Sequence, residues 1–278
     1  MAGGRPAGLD DRRLRELLRR YRLSVAMGTY RTSYAHASAS QAGNIELTAR
    51  RLDGQVVEPG AVFSFNGRLG PYDRAHGYGE GRMFLGDRIV PSVGGGVCQV
   101  ASTLFNAVVL AGLPVVERHL HGLLVPYLPP GQDATVAEEA GLDFRFRNDR
   151  SYPLVVAADT LPGRWLRVTV WGREQPPEIR WEHRISDWRP APLERLPAGP
   201  GEGKGEPLPG GGRLLAPGQP GLTVHSWIVR SLPGGWQRID MGVHTYLPSP
   251  RILRLPPTAP GGRGGPEGGR AGGGRPGA

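Results

Sequence analysis

The sequence predicts an α+β fold in which an antiparallel sheet packs on a buried helix, the helix starting at the Gly-Gly-Gly-Val-Cys-Gln motif of residues 94–99. Three observations carry this reading. Val97, Ala101, Leu104, Phe105, Val108 and Ala111 recur at the i, i+3, i+4, i+7 spacing of a helix facing a core. "LDFRFRN", "YPLVVAAD" and "RWLRVTVWG" are alternating or continuous runs of strand formers, the last two joined by a Leu-Pro-Gly turn. Glycine (44) and proline (28) crowd into residues 186–221 and 255–278, so the folded part is shorter than the 278-residue chain. A helix laid on an antiparallel sheet is the economical way to bury both apolar faces.

The elements follow in order. Residues 1–24 hold a peripheral amphipathic helix, with Leu14, Leu17 and Leu18 among arginines. "NIELTARRLD" (44–53) reads as a second helix that Asn44 caps and Gly54 ends. "QVVEPGAVFSFN" reads as two short strands around a Glu-Pro-Gly turn, and "RMFLGDRIVP" as a hairpin turning at Gly86-Asp87. The buried helix closes at Gly112 and Pro114, and "PVVERHLH" is the next strand. Beyond residue 172 the pattern weakens. Residues 173–221 read as a flexible Pro/Gly-rich linker, 222–254 as a small C-terminal β-hairpin too short to be stable alone, and 255–278 as a disordered tail.

Composition narrows the function classes. The net charge of +9 would raise nucleic acid as a partner, but Lys204 is the only lysine and the arginines are scattered among acidic residues, so no nucleic acid is expected. A single cysteine excludes an intramolecular disulfide and a multi-cysteine zinc site. Residues 1–22 lack the apolar stretch of a signal peptide, and no run reaches the roughly 18 apolar residues of a membrane span. No export signal is visible, so a cytoplasmic location stays open. No cofactor is expected.

"NIELTARRLDGQVVEPGAVFSFN", "VGGGVCQVASTLFNAVVLAGLPVVERHLH", "VPYLPPGQDATV" and "LDFRFRN", in this order, resemble the VanW-like family, named from an accessory gene of glycopeptide-resistance clusters. The resemblance covers roughly residues 25–172. It implies an α+β domain of the bacterial cell envelope, an extracytoplasmic or envelope-associated location, and a peptide or peptidoglycan fragment as partner. "GVCQVASTLFNAVVLAGLP" is also similar to the nucleophile helix of transglutaminase-like enzymes.

Cys98 is the pivotal residue. A thiol in the first turn of a helix meets unpaired N–H groups and the positive dipole end, which favour the thiolate. Gly94, Gly95 and Gly96 would let a substrate backbone approach, with Gln99 beside them, and adjacent N–H groups would stabilise an oxyanion. His121 is the expected base and Asp133 its orienter. The competing readings are a buried structural cysteine, a capping Asp133, and a non-catalytic binding groove for peptidoglycan or its peptide stems. His119, His121 and Glu117 would share one face of a regular strand, a loose metal-site pattern ranked below ordinary pairing with arginine, so no metal is expected. Trp165 and Trp171 also share a face and are expected in the core rather than on a sugar ring.

Overall fold

The computed structural model describes residues 11–85, 88–197, 205–209 and 211–256. The expected turn at Gly86-Asp87 and the tail beyond residue 256 lie outside the described residues. Among the described residues, four α-helices and sixteen strands alternate in the α+β manner. In chain order they begin with α1 (Asp11–Arg20), β1 (Val25–Ser33), α2 (Ala39–Leu52), β2 (Gln55–Val57), β3 (Val62–Ser64) and α3 (Phe65–Leu69). Then come β4 (Glu80–Leu85), β5 (Arg88–Val93), α4 (Val97–Leu110), β6 (Val115–Glu117), β7 (Arg145–Arg147), β8 (Leu154–Leu161) and β9 (Trp165–Gly172). The C-terminal strands are β10 (Ile179–Arg189), β11 (Leu193–Leu196), β12 (Glu206–Pro207), β13 (Arg213–Gln219), β14 (Gly221–Leu232), β15 (Gly235–Tyr246) and β16 (Ser249–Arg254).

The central sheet is antiparallel, in the order β1-β9-β8-β2. β8 is buried from Leu154 to Thr160, so both of its faces are covered and it reads as a continuous apolar run. Helix α4 packs on β1 and β9 and also touches α2 and β10. Nearly every side chain of α4 is buried, and its polar residues Gln99, Ser102, Thr103 and Asn106 make hydrogen bonds inside. Phe105 of α4 meets Phe144 edge-on at 5.7 Å, and Phe144 and Phe146 continue the cluster toward Phe63. These rings anchor the small β3-β7-β6 sheet to the helix.

Several expectations change. Helix α2 starts at Ser38, whose hydroxyl accepts from the Gln41 N–H, so Asn44 sits within the helix rather than at its cap. The strands around Glu58-Pro59-Gly60 do not pair with each other, because β2 joins β8 while β3 joins β7. Residues 173–221 carry β10, β11, β12 and β13 rather than a featureless linker. β10 pairs with β14 from Ile179↔Arg230 to Arg189↔Gly221, and its largely exposed side chains give it no alternating apolar signal. The β14–β15 hairpin is therefore the rest of a three-stranded sheet, β10-β14-β15.

The chain divides into two compact units. One holds the residues up to Pro192 together with Gln219–Ser249, including the central sheet, α4 and the β10-β14-β15 sheet. The other comprises Leu193–Gly218 and the described residues from Pro250, built on a four-stranded sheet in the order β11-β16-β13-β12. Among the described residues no helix is long and apolar enough to cross a membrane.

Candidate functional site

Cys98 is the second residue of α4, after Gly96 caps the helix in the left-handed region at φ 110°. A side chain at Gly96 would meet the Gln41 carbonyl oxygen and Ile45 at 3.0 Å, so glycine is required there twice over. The first turn is tied by the Val97 N–H on the Gly94 carbonyl at 3.1 Å and the Gln99 N–H on the Gly96 carbonyl at 3.0 Å. Between them, the Cys98 N–H has no hydrogen-bond partner among the described residues. It is a donor at the positive end of a buried helix, beside the thiol.

The thiol is half-buried. Sγ lies 3.4 Å from the Val136 carbonyl oxygen, and the Cys98 and His121 side chains lie close enough to influence each other's protonation. The His121 Nδ1 donates to Asp133 Oδ2 at 2.7 Å, which leaves Nε2 as the nitrogen for the thiol. The same carboxylate oxygen accepts the His121 backbone N–H at 2.8 Å, so ring and backbone are fixed together. Both side chains are almost wholly buried, at 3% and 1% exposure. The structure thus brings Cys98, His121 and Asp133 into one chain of contacts.

The electrostatics follow from that order. Burial pulls the His121 imidazolium toward neutrality, but the hydrogen bond to Asp133 and the neighbouring Cys98, with the charges of both, outweigh it and hold its pKa up at about 9. Burial also raises the Cys98 thiol, yet the neighbouring His121 and its charge bring it below its ordinary value. Asp133 is desolvated as well, and its bonds from His121 and Tyr246 overcome this and keep it below the usual carboxylate range. The three shifts run in the direction that eases proton transfer from the thiol to the imidazole, with the carboxylate behind it.

Asp133 is held from two further directions. Its Oδ1 accepts the hydroxyl proton of Tyr246 on β15, and its backbone carbonyl accepts Arg118 Nε at 3.0 Å. Arg118 reaches the Gly131 carbonyl at 2.9 Å and lays its guanidinium 4.3 Å from the centre of the Phe105 ring. Tyr127, from the "VPYLPPGQD" stretch, lies close to this cluster: burial first, then the charges of Cys98 and Asp133, push its hydroxyl well above its ordinary value.

Other expectations fare differently. Gln99 is buried, and its amide nitrogen donates to Thr32 Oγ1 and the Ser33 carbonyl at 3.0 Å each, so it ties α4 to β1 instead of facing a ligand. Gly95 packs back-to-back on Gly81, where an added Cβ would come within 2.4 Å of backbone, so its role is close packing rather than admission of substrate. Gly94 at φ 82° faces the Tyr72 backbone in the same sense. The strand ends at Glu117, and His119 Nε2 bonds Glu117 Oε1 at 3.0 Å while His121 turns to Asp133, so the two histidines do not share a site. Among the described residues no group of three or more His, Cys, Asp or Glu side chains converges as metal ligands would. Trp165 is exposed beneath the Arg31 guanidinium, and Trp171 packs partly buried on the core.

Sequence reasoning missed Asn44, Tyr127 and Tyr246. Asn44 donates to the Gly79 and Gly95 carbonyls and accepts the Gly79 N–H, all at 2.8–2.9 Å, and so braces the glycine turn that presents Cys98. Tyr127 was within reach, since it stands four residues before Gly131 in a stretch already singled out.

Residues 40–171 match the family model described as VanW like protein, the family whose resemblance the motifs carry. The chain is 43% identical over 148 residues to YoaR of Bacillus subtilis strain 168, covering 53% of this chain and 48% of that protein. It is 30% identical over 125 residues to the vancomycin B-type resistance protein VanW of Enterococcus faecalis strain ATCC 700802 / V583, covering 42% and 44%. The chain spans about half the length of these curated relatives. Two solved structures also match: the HP0197-G5 domain, 18% identical over 28% of this chain and 97% of its own, with a TM-score of 0.14; and the IgA1 protease G5 domain, 20% identical over 32% and 100%, with a TM-score of 0.18. No transglutaminase-like protein stands among these matches.

Proposed function

We propose that this VanW-like chain is a cell-envelope thiol enzyme that transfers or hydrolyses acyl groups of peptidoglycan-type peptides, with Cys98 as nucleophile, His121 as acid–base and Asp133 as its orienter. The supporting observation is the buried sequence of contacts from Cys98 through His121 to Asp133 at the start of α4. The Cys98 thiolate attacks a peptide carbonyl, and the oxyanion develops beside the unpaired Cys98 N–H. His121 gives its Nε2 proton to the leaving amine, and a thioester forms as the C–N bond breaks. Water, or an acceptor amine, then loses a proton to His121 and attacks the thioester, releasing Cys98.

The choice of an envelope peptide rests on the VanW-like segment and on one relative's being a vancomycin B-type resistance protein. The acyl chemistry rests on the side-chain geometry alone.

The test is the rate at which iodoacetamide alkylates Cys98 in the folded protein. A free thiol with a pKa near 8.5 is only a few per cent thiolate at pH 7, so a paired thiolate is expected to react roughly tenfold faster than a model peptide. His121→Ala should return the rate to the peptide level. A wild-type rate equal to the peptide's would sink the catalytic reading. The site would then be a peptide-binding groove, in which Cys98→Ser leaves ligand binding intact.

A further inference from the structure

The β14–β15 hairpin lies beyond residues 40–171, the VanW-like segment, yet it reaches the site at two points. The Tyr246 ring is 1% exposed, packed with Leu222, Val224, Leu120 and Leu124. Its hydroxyl donates to Asp133 Oδ1 and accepts the Gly131 N–H at 2.8 Å. Two residues earlier, on the same face of β15, His244 Nε2 donates to the His121 carbonyl at 2.8 Å. Tyr246 and His244 meet edge-on at 4.7 Å. One strand therefore grips both members of the His121–Asp133 pair.

We infer that Tyr246, seconded by His244, is a positioning residue for the His121–Asp133 pair, so that the thiol site is complete only with β15 docked; this rests on the catalytic reading above. A carboxylate held by one oxygen can swing about its χ2 bond. With Oδ1 fixed by Tyr246 and Oδ2 by the His121 N–H, Asp133 has no such freedom, and His121 is kept in the tautomer that points Nε2 at Cys98. The Gly131 N–H, satisfied by the same hydroxyl, fixes the turn that carries Asp133. A purely structural tyrosine would need only its ring in the apolar cluster.

Tyr246→Phe keeps that ring and removes the hydroxyl. We expect an unchanged far-ultraviolet spectrum, alkylation of Cys98 at pH 7 slowed about tenfold, the size of a lost hydrogen bond to a charged group, and a pH–rate midpoint moved upward. The proton resonance of the His121 Nδ1–H, followed by NMR in the full-length protein, should shift or broaden. His244→Leu should act in the same direction with a smaller effect, and His244→Gln, which keeps a donor, should restore the profile. Fast wild-type alkylation with profile and resonance unchanged in both Tyr246→Phe and His244→Leu would overturn the inference. Slow wild-type alkylation instead removes the catalytic reading, and the resonance alone then decides whether Tyr246 holds the pair. If Tyr246→Phe does not fold, the two His244 variants carry the same decision.

Discussion

His121 is buried and yet favours its charged form, which happens only where a partner outweighs desolvation. That partner is Asp133 first and Cys98 second, so the charge on His121 is a direct measure of the site's integrity. The sign is fixed by linkage. A histidine raised from its ordinary 6.5 to about 9 adds stability that is fully present below about pH 6.5 and is lost as pH climbs through about 9. Asp133 is lowered, so its contribution is present above its ordinary value and fails only as pH falls through its folded value. Between about pH 5 and 10 the histidine alone sets the slope of this pair. Thermal melts of wild type and Asp133→Asn should therefore differ most near pH 6, with the gap narrowing toward pH 10; a gap that widens with pH would contradict a charged His121. That Cys98, His121 and Asp133 would gather in space was legible, because each lay in a motif with a chemical reason. Gln99 misled because one step along a helix turns a side chain by about 100°, away from Cys98 and into β1. Tyr246 was illegible, because nothing local in "GVHTYL" points to a partner 113 residues earlier.

At the level of elements, the nucleophile helix is positioned by backbone meeting backbone. Gly95 lies against Gly81 of β4, and the Asn44 side chain on α2 clamps the Gly79 and Gly95 carbonyls, so helix α2, the β4–β5 hairpin and the start of α4 are locked through three glycines and one amide. In the sequence the glycines read as room for a ligand and Asn44 as a cap. Both errors have one cause: a glycine or asparagine satisfied by a distant backbone looks locally like one serving its own turn. Ser38, the true cap, escaped notice because residues 39–43 carry no apolar stripe to mark a helix start. Gly95→Ala should push β4 off the helix start and cost about 1–3 kcal/mol, the range for overpacking. Urea melts would register that loss, and Cys98 alkylation should slow with it. Asn44→Ala leaves buried carbonyls and one N–H unpaired, so its cost should be similar, about 1–3 kcal/mol. Melts of either variant that overlay wild type would mean the turn is held by something else.

Over the whole molecule, the unit that contains the site is discontinuous in sequence. Its β10 and β14 flank the Leu193–Gly218 segment of the second unit, and their pairing ends at Arg189↔Gly221. The cut ends are thus neighbours across a ladder, and a short Gly-Ser linker from Pro192 to Gln219 can close them as a hairpin connection. The central sheet and buried helix were visible from periodicity, since α4, β8 and β9 bury continuous or alternating apolar runs. The C-terminal sheet was not, because most of its strands are exposed on at least one face and owe their pairing to backbone hydrogen bonds, which leave little trace in composition. Two truncations separate the parts. A chain of residues 1–172 keeps the VanW-like segment and all of Cys98, His121 and Asp133, but loses Tyr246, His244 and the β10-β14-β15 sheet. It should melt lower than the full chain and alkylate Cys98 at or near the peptide rate. A chain of residues 1–192 joined by that linker to 219–249 keeps the site's contacts to β15 and discards the β11-β16-β13-β12 sheet. It should retain alkylation within about threefold of the full chain, a difference of less than 1 kcal/mol in activation free energy. A 1–172 chain that alkylated as fast as the full one would show that the site needs neither β15 nor the second unit, whereas a linked chain that alkylated at the peptide rate would show that it needs the second unit.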